Sequence, residues 1–243
     1  MAHSLSFRSG NPALGAQTFN LSADGLNTMT LEGAVNKTAL SLFLVMTSAF
    51  FTWTYPSPPI MIGGLIGGIV IFLVTIFKKN LSPITVPIYA LLQGLFLGGI
   101  SRFFEDRFPG IASQAIILTL GILGALLLAY KSKLIKPTEN FKLGVFAATG
   151  GIAMIYLIGF VMSLFGGDIP LIHESGIIGI GFSVFVVIIA SLNLVLDFDF
   201  IEQGAEQGAP KYMEWYGAFG LLVTLIWLYL EILRLLAKLQ SRD

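Results

Sequence analysis

Residues 38–77 decide the fold class, and they read TALSLFLVMTSAFFTWTYPSPPIMIGGLIGGIVIFLVTIF. No charged residue interrupts this stretch, and a helix needs about 20 predominantly apolar residues to cross the hydrocarbon core of a bilayer. Pro56, Pro58 and Pro59 divide the stretch in the middle, because proline cannot continue a helix. The stretch therefore predicts two membrane-spanning helices joined by a short turn.

The composition of the whole chain extends this prediction. Of the 243 residues, 55% are hydrophobic and only 12% are charged, whereas a soluble domain carries about 25% charged residues. Further apolar runs follow, and short alternating segments typical of barrel strands are absent from the sequence. We therefore predict an all-α integral membrane protein with seven transmembrane helices. The predicted spans are residues 38–54, 60–77, 83–104, 113–130, 143–165, 177–197 and 215–240.

Two polar segments lie outside these spans. Residues 1–36 are rich in Ser, Asn, Gly and Thr, so we assign them to a polar N-terminal tail and residues 37–243 to one transmembrane domain. Residues 202–209 repeat the sequence EQGA, which we interpret as a polar loop between the sixth and seventh spans.

The lysine distribution predicts the orientation. Lys78 and Lys79 follow the second span, and four lysines surround the loop after the fourth, whereas the loops after the first and fifth spans have neither Lys nor Arg. Because short cytoplasmic loops carry an excess of these residues, we expect the N-terminus in the cytoplasm. Seven spans then place the C-terminus outside, although Arg234, Lys238 and Arg242 are less typical of that side.

Several function classes lack a sequence signature. The net charge is zero, which gives no electrostatic reason to expect a nucleic-acid partner. The chain has no cysteine, and His3 and His173 are far apart in sequence. Hydrolase, metalloprotease and phosphate-loop motifs are absent from the sequence. We therefore expect neither an enzyme nor a bound cofactor.

Two acids in the predicted spans are the candidate functional residues. Asp197 ends the sixth span and Glu231 lies within the seventh, and an ionisable residue inside a membrane is a functional hypothesis by default. Two other interpretations remain open. Asp197 could end its helix in water, and Glu231 could form a structural ion pair with Arg234, three residues later on the same helix face.

The segments around these acids resemble the Bax inhibitor-1 family, in a bacterial branch. The similar segments are DFDFI at residues 197–201 and LYLEIL at residues 228–233. The resemblance implies six helices around a central seventh, with a carboxylate pair formed by Asp197 and Glu231. In the family this pair senses pH and governs a calcium leak, and a basic latch corresponds here to Lys78 or Lys79. Asp199, Glu202 and Arg234 are further accessory candidates.

These features predict a function and an alternative. Two carboxyls in close contact titrate as a pair and can recruit a cation such as calcium, which favours oxygen ligands. We therefore expect a pH-sensitive leak for calcium or another cation in the bacterial inner membrane, with weak calcium binding at Asp197 and Glu231. The alternative is a regulatory membrane protein that contacts protein partners through its tail and transports nothing. A pair inside the bundle favours the leak.

Overall fold

The computed structural model describes residues 28–167 and 176–241, which form seven long helices. All seven are long and apolar enough to cross a membrane, as the sequence predicts. His173, predicted to lie in an outer loop, is outside the described residues. The helices are α1 (Leu31–Thr54), α2 (Pro58–Phe77), α3 (Ser82–Glu105), α4 (Ile111–Lys131), α5 (Glu139–Leu164), α6 (Ile177–Glu206) and α7 (Met213–Gln240), with a 3₁₀ turn at Lys79–Leu81 before α3.

The first helix begins earlier than predicted. Thr30 caps it, because the Thr30 hydroxyl oxygen accepts a hydrogen bond from the Gly33 N–H at 3.0 Å. Glu32 lies in the first turn, where a negative charge is favourable. Residues 31–36, which we assigned to the polar tail, are therefore the first turns of α1.

The sixth helix ends later than predicted. Residues 202–206 continue α6, although we interpreted them as part of a loop. Side-chain contacts hold this extra turn: Glu202 accepts a hydrogen bond from the Tyr130 hydroxyl of α4, and Gln203 donates to Asp199 one turn earlier at 2.6 Å. The loop is therefore shorter than the polar composition indicated.

Helix α7 occupies the interior of the bundle. It packs directly against α1, α3, α4 and α6. The ring of Phe72 on α2 lies 5.6 Å from that of Phe219, and Tyr156 on α5 hydrogen-bonds Glu231. The other helices expose large apolar side chains such as Phe50 and Phe77, as expected of a surface that faces lipid.

Glycines on α3 permit a close approach to α1. A Cβ atom at Gly94 would overlap Ser48, and one at Gly98 would overlap the Ala49 carbonyl oxygen. Small residues four apart form one helix face and let two backbones pack closely. These two glycines therefore contribute to bundle packing.

The directions of the seven helices define two ends of the bundle. At the first, which we call the lysine-rich end, the starts of α1, α3, α5 and α7 meet the ends of α2, α4 and α6. Contacts there include Ser82 Oγ donating to the Tyr212 carbonyl at 2.8 Å and the Lys142–Asp199 ion pair at 2.8 Å. At the opposite end, which we call the far end, α6 begins and α7 finishes. The first helix thus starts and the seventh finishes at opposite ends.

Candidate functional site

Asp197 is completely buried within the bundle. Its relative exposure is 0%, although it lies only nine residues before the end of α6. Ile201, one turn later on the same face of α6, packs against α7, where a Cβ atom at Gly217 would lie 2.8 Å from Ile201 Cγ1. Asp197 therefore faces the α7 side of the bundle rather than water, which excludes the helix-end interpretation.

Glu231 is buried on α7 and holds three polar partners. Its Oε1 accepts hydrogen bonds from the Tyr156 hydroxyl at 2.8 Å, from Trp227 Nε1 at 3.3 Å and from an Arg234 guanidinium nitrogen at 2.8 Å. The same Arg234 nitrogen lies 2.9 Å from Oε2 and donates to the Tyr156 oxygen at 2.8 Å. Glu231, Tyr156 and Arg234 therefore form a closed triad, and the ion pair that the i, i+3 spacing allowed is present.

The two acids do not lie at the same depth. Ile201 is opposite Gly217 on the antiparallel pair α6–α7. With a rise of 1.5 Å per residue, Asp197 lies about 6 Å from this level, whereas Glu231 lies about 21 Å from it in the same direction. The backbone positions of Asp197 and Glu231 are thus separated by about 15 Å along the helices, and this separation does not bring the two carboxyls into the shared site that we expected.

A contact at the far end supports this helix register. Lys238 Nζ donates to the Gly179 carbonyl at 3.0 Å and to Ser183 Oγ at 2.8 Å, and all three residues are buried. Measured from the Ile201–Gly217 level, Ser183 lies about 27 Å away and Lys238 about 32 Å away. The length of the lysine side chain covers this difference, so the register persists from one end of the pair to the other.

One face of α5 adds polar groups at three depths. Lys142, Thr149 and Tyr156 are spaced at seven residues, which places them on one helix face. Lys142 pairs with Asp199 at 2.8 Å, Thr149 Oγ1 accepts from Asn193 Nδ2 at 2.8 Å, and Tyr156 bonds Glu231. The junction of α5, α6 and α7, which we call the polar seam, therefore carries polar contacts from the lysine-rich end to the far end.

An apolar layer interrupts the polar seam between the two acids. Ile152 of α5 and Val186 and Ile189 of α6 form a buried cluster, against which Trp227 of α7 packs. Asn193 lies on the Asp197 side of this layer. Measured from the Ile201–Gly217 level, Ile189 lies about 18 Å away and Val186 about 22 Å away, so Glu231, at about 21 Å, is level with the outer part of the layer. The layer therefore separates an inner section of the seam, which contains Asp197, from an outer section that begins at Glu231.

Apart from Arg234, the accessory candidates occupy separate places at the lysine-rich end. Lys78 is exposed, whereas Lys79 Nζ lies 5.6 Å from the centre of the Tyr216 ring on α7. Asp199, on a different side of α6 from Asp197, pairs with Lys142, and Glu202 bonds Tyr130. These contacts tie α4, α5 and α6 together near the end of the inner section.

Glu214 is a buried acid that the sequence analysis missed. It lies in the first turn of α7 with 0% exposure. Its Oε1 accepts from the Thr30 N–H at 3.0 Å, the Thr30 hydroxyl at 2.7 Å and Lys211 Nζ at 2.7 Å, while Lys37 Nζ lies 2.9 Å from Oε2. Gly33 leaves room for this carboxylate, because a Cβ atom there would overlap it. The sequence alone shows a glutamate in the first turn of a helix, which is common. What distinguishes Glu214 is its contacts with residues that are distant in sequence.

The described residues contain no group of three or more His, Cys, Asp or Glu side chains that could hold a metal ion. Calcium takes six to eight oxygen ligands in well-formed sites. A single buried carboxylate such as Asp197 or Glu231 can therefore supply only weak cation binding.

The sequence comparison assigns the family. Residues 10–241 match the family model described as Bax inhibitor 1 like. The chain belongs to the Bax inhibitor 1 like family. The match covers nearly the whole chain, so membership in the Bax inhibitor 1 like family rests on all seven helices and not only on the two segments around the acids. The comparison with curated proteins found no match.

Proposed function

We propose that this member of the Bax inhibitor 1 like family is a pH-sensitive cation leak, with calcium as the expected ion. The observation that carries the proposal is the complete burial of Asp197 on the α7-facing side of α6, inside a seven-helix bundle. An acid held within a membrane domain is expensive to bury and marks ion or proton pathways. The lysine distribution supports a cytoplasmic N-terminus, and the proposed location is a bacterial inner membrane.

The geometry favours two separate acid sites over one shared site. A cation that follows the polar seam would meet Asp197 in the inner section and Glu231 in the outer section. Ile152 and Ile189 of the apolar layer lie between these two levels, and a hydrophobic constriction blocks ions by excluding water. The described structure thus corresponds to a closed state.

Protonation of Asp197 is the proposed pH-sensitive step. A change of charge at a completely buried position alters the packing of α6 against α7 and the attraction for a cation. Titratable groups on the same part of the surrounding helices include Tyr130 of α4, Lys142 of α5, and Asp199 and Glu202 of α6. Between Tyr216 and Tyr229, the facing segment of α7 contains no titratable residue.

A regulatory role without transport is the second candidate, and one observation favours it. Residues 28–30, which we call the strap, dock on the connection between α6 and α7. The Met29 N–H donates to the Ala209 carbonyl at 2.6 Å, and Met29 is buried. A protein partner held by the N-terminal tail would therefore act directly on the start of α7.

Calcium flux into proteoliposomes distinguishes the two candidates. Wild type, Asp197→Asn and Asp199→Asn are compared across a pH series. Asp197→Asn is expected to lose most of the pH dependence, whereas Asp199→Asn keeps the profile because Asp199 lies on a different side of α6 and is already paired with Lys142. An unchanged profile in Asp197→Asn contradicts the proposed step. Absence of flux from folded wild type at every pH favours the regulatory candidate.

A further inference from the structure

The triad of Glu231, Tyr156 and Arg234 already contains a bound cation, which belongs to the chain itself. One guanidinium nitrogen of Arg234 contacts both carboxylate oxygens of Glu231 and the hydroxyl oxygen of Tyr156, at 2.8–2.9 Å. The guanidinium carbon also lies 5.3 Å from the centre of the Tyr156 ring. Three oxygens and an aromatic face thus converge on one positive charge.

The two partners of the ion pair differ in their access to the surroundings. The side chain of Glu231 is 2% exposed, whereas that of Arg234 is 40% exposed. Arg234 lies six residues before the end of α7, about 9 Å along the helix. A long arginine side chain can extend toward the membrane surface from such a position. The carboxylate is therefore fixed, and the guanidinium is the group that can leave.

The outer section is unfavourable for a second cation while Arg234 is in place. Glu231 carries one negative charge, Arg234 compensates it, and Lys238 follows one turn later with a further positive charge. The buried Lys238 bonds the neutral Gly179 carbonyl and the Ser183 hydroxyl. The local charge is therefore positive until the guanidinium withdraws, and only then does Glu231 become an acceptor for another cation.

We propose that Arg234 is a tethered counter-cation that closes a weak cation site formed by Glu231 and Tyr156, so that a permeating cation must displace it. The proposal concerns regulation of the outer section and rests on the cation leak proposed above. The site accepts a small cation that prefers oxygen ligands, such as calcium, because its fixed groups are a carboxylate and a phenol oxygen. Few ligands make the binding weak, which suits an ion that must leave again.

Terbium luminescence tests the site without any measurement of transport. Terbium ions prefer oxygen ligands as calcium does, and Trp227 Nε1 lies 3.3 Å from the Glu231 carboxylate, so excitation of Trp227 sensitises an ion bound there. The experiment uses the full chain in nanodiscs. The variants are Arg234→Gln, Arg234→Lys and Arg234→Gln combined with Glu231→Gln, with calcium added as the competitor.

Arg234→Gln is expected to bind terbium about tenfold more tightly than wild type, because the apparent affinity of a site rises when a competing state no longer occupies it. Calcium should displace the ion. Arg234→Lys should remain close to wild type, and the double variant should lose the signal. Equal terbium affinity in wild type and Arg234→Gln, or a signal that persists in the double variant, overturns the proposal.

A second variant guards against misfolding of Arg234→Gln. Tyr156→Phe keeps both charges but removes the oxygen that accepts a hydrogen bond from Arg234. The loss of one ligand should weaken terbium binding, and the weaker hold on the guanidinium should strengthen it. Because these two effects oppose each other, terbium affinity should change by less than twofold. A tenfold increase in Tyr156→Phe would mean that the phenol and not Arg234 closes the site. Terbium binding as expected, together with no calcium flux in wild type, would remove the proposed leak and leave the cation site standing.

Discussion

Glu214 and Glu231 are both buried on α7, yet they are neutralised in different ways. Glu214, at the lysine-rich end, binds Lys37 of α1, Lys211 of the α6–α7 connection and Thr30 of the strap. Glu231, deep in the helix, binds Arg234 of its own helix and Tyr156 of α5. The first carboxylate therefore joins distant parts of the chain, whereas the second is compensated mainly within one turn.

This difference separates a structural acid from a switchable one. Glu214 can lose all of its partners only if α1, the strap and the connection move together, although Lys211 alone can turn to water. Glu231 can lose its counter-cation through rotation of a single half-exposed side chain, Arg234. Substitutions at the two positions should therefore differ in their effects on stability and on cation binding.

Among the single substitutions, Glu214→Gln is expected to have the largest effect on stability. Removal of one partner from a buried ion pair destabilises a protein by about 3–5 kcal/mol. We expect about 3 kcal/mol, the lower end of that range, because Lys211 is half exposed and can turn to water. A titration with sodium dodecyl sulfate measures the free energy of unfolding. Glu206→Gln, at an exposed position on the last turn of α6, is the matched control, and equal effects at both positions would remove the structural role.

Glu231→Gln is expected to destabilise the protein less, by about 1–2 kcal/mol. The amide can keep the hydrogen bonds from Tyr156 and Trp227, and the stranded Arg234 can extend toward the membrane surface. The same detergent titration measures the effect. Adding Arg234→Gln should restore part of the loss, because the uncompensated cation disappears. A loss larger than that of Glu214→Gln would contradict the comparison.

The depth difference between Asp197 and Glu231 predicts independent effects on flux. Groups more than about 7–10 Å apart with no shared partner usually contribute additively, and the backbone positions of Asp197 and Glu231 are about 15 Å apart along the helices. The logarithmic changes in calcium flux for Asp197→Asn and Glu231→Gln should therefore add in the double variant. If the double variant changes calcium flux no more than either single variant does, the two acids share a site. The combination of Glu231→Gln with Arg234→Gln is the control, because these two residues are in contact and their effects on flux should not add.

The sequence predicted the seven helices well because each depends on local composition. Runs of apolar residues and the prolines between α1 and α2 set the number of spans without reference to tertiary contacts. The ends of α1 and α6 were misjudged because their outer turns are polar in sequence and are held by contacts such as the Thr30 cap and the bond from Tyr130 to Glu202.

The candidate site was predictable in its residues but not in its geometry. Asp197 and Glu231 stand out in sequence because they interrupt apolar spans, and both are buried. The facing residue of an antiparallel helix depends on the length of the connection, which for α6 and α7 is altered by the additional turn of α6. Sequence spacing therefore could not show that Glu231 lies level with Tyr156 rather than with Asp197.

Deletion of residues 1–25 is expected to have the smallest effect and tests the boundary of the lysine-rich end. The contacts of the described chain begin with the bridge between Thr28 and Pro210 and continue with Met29 and Thr30. A deletion that stops before the strap should change the free energy of unfolding by less than about 0.5 kcal/mol, as is usual away from packed features, and should leave calcium flux intact.

Extending the deletion through Thr30 removes the buried Met29, the α1 cap and two hydrogen bonds to Glu214. The longer deletion should therefore destabilise the protein at least as much as Glu214→Gln. If the shorter deletion is equally destabilising, the residues before the strap also hold α1 to α7, and if it abolishes flux from a stable protein, they belong to the transport machinery.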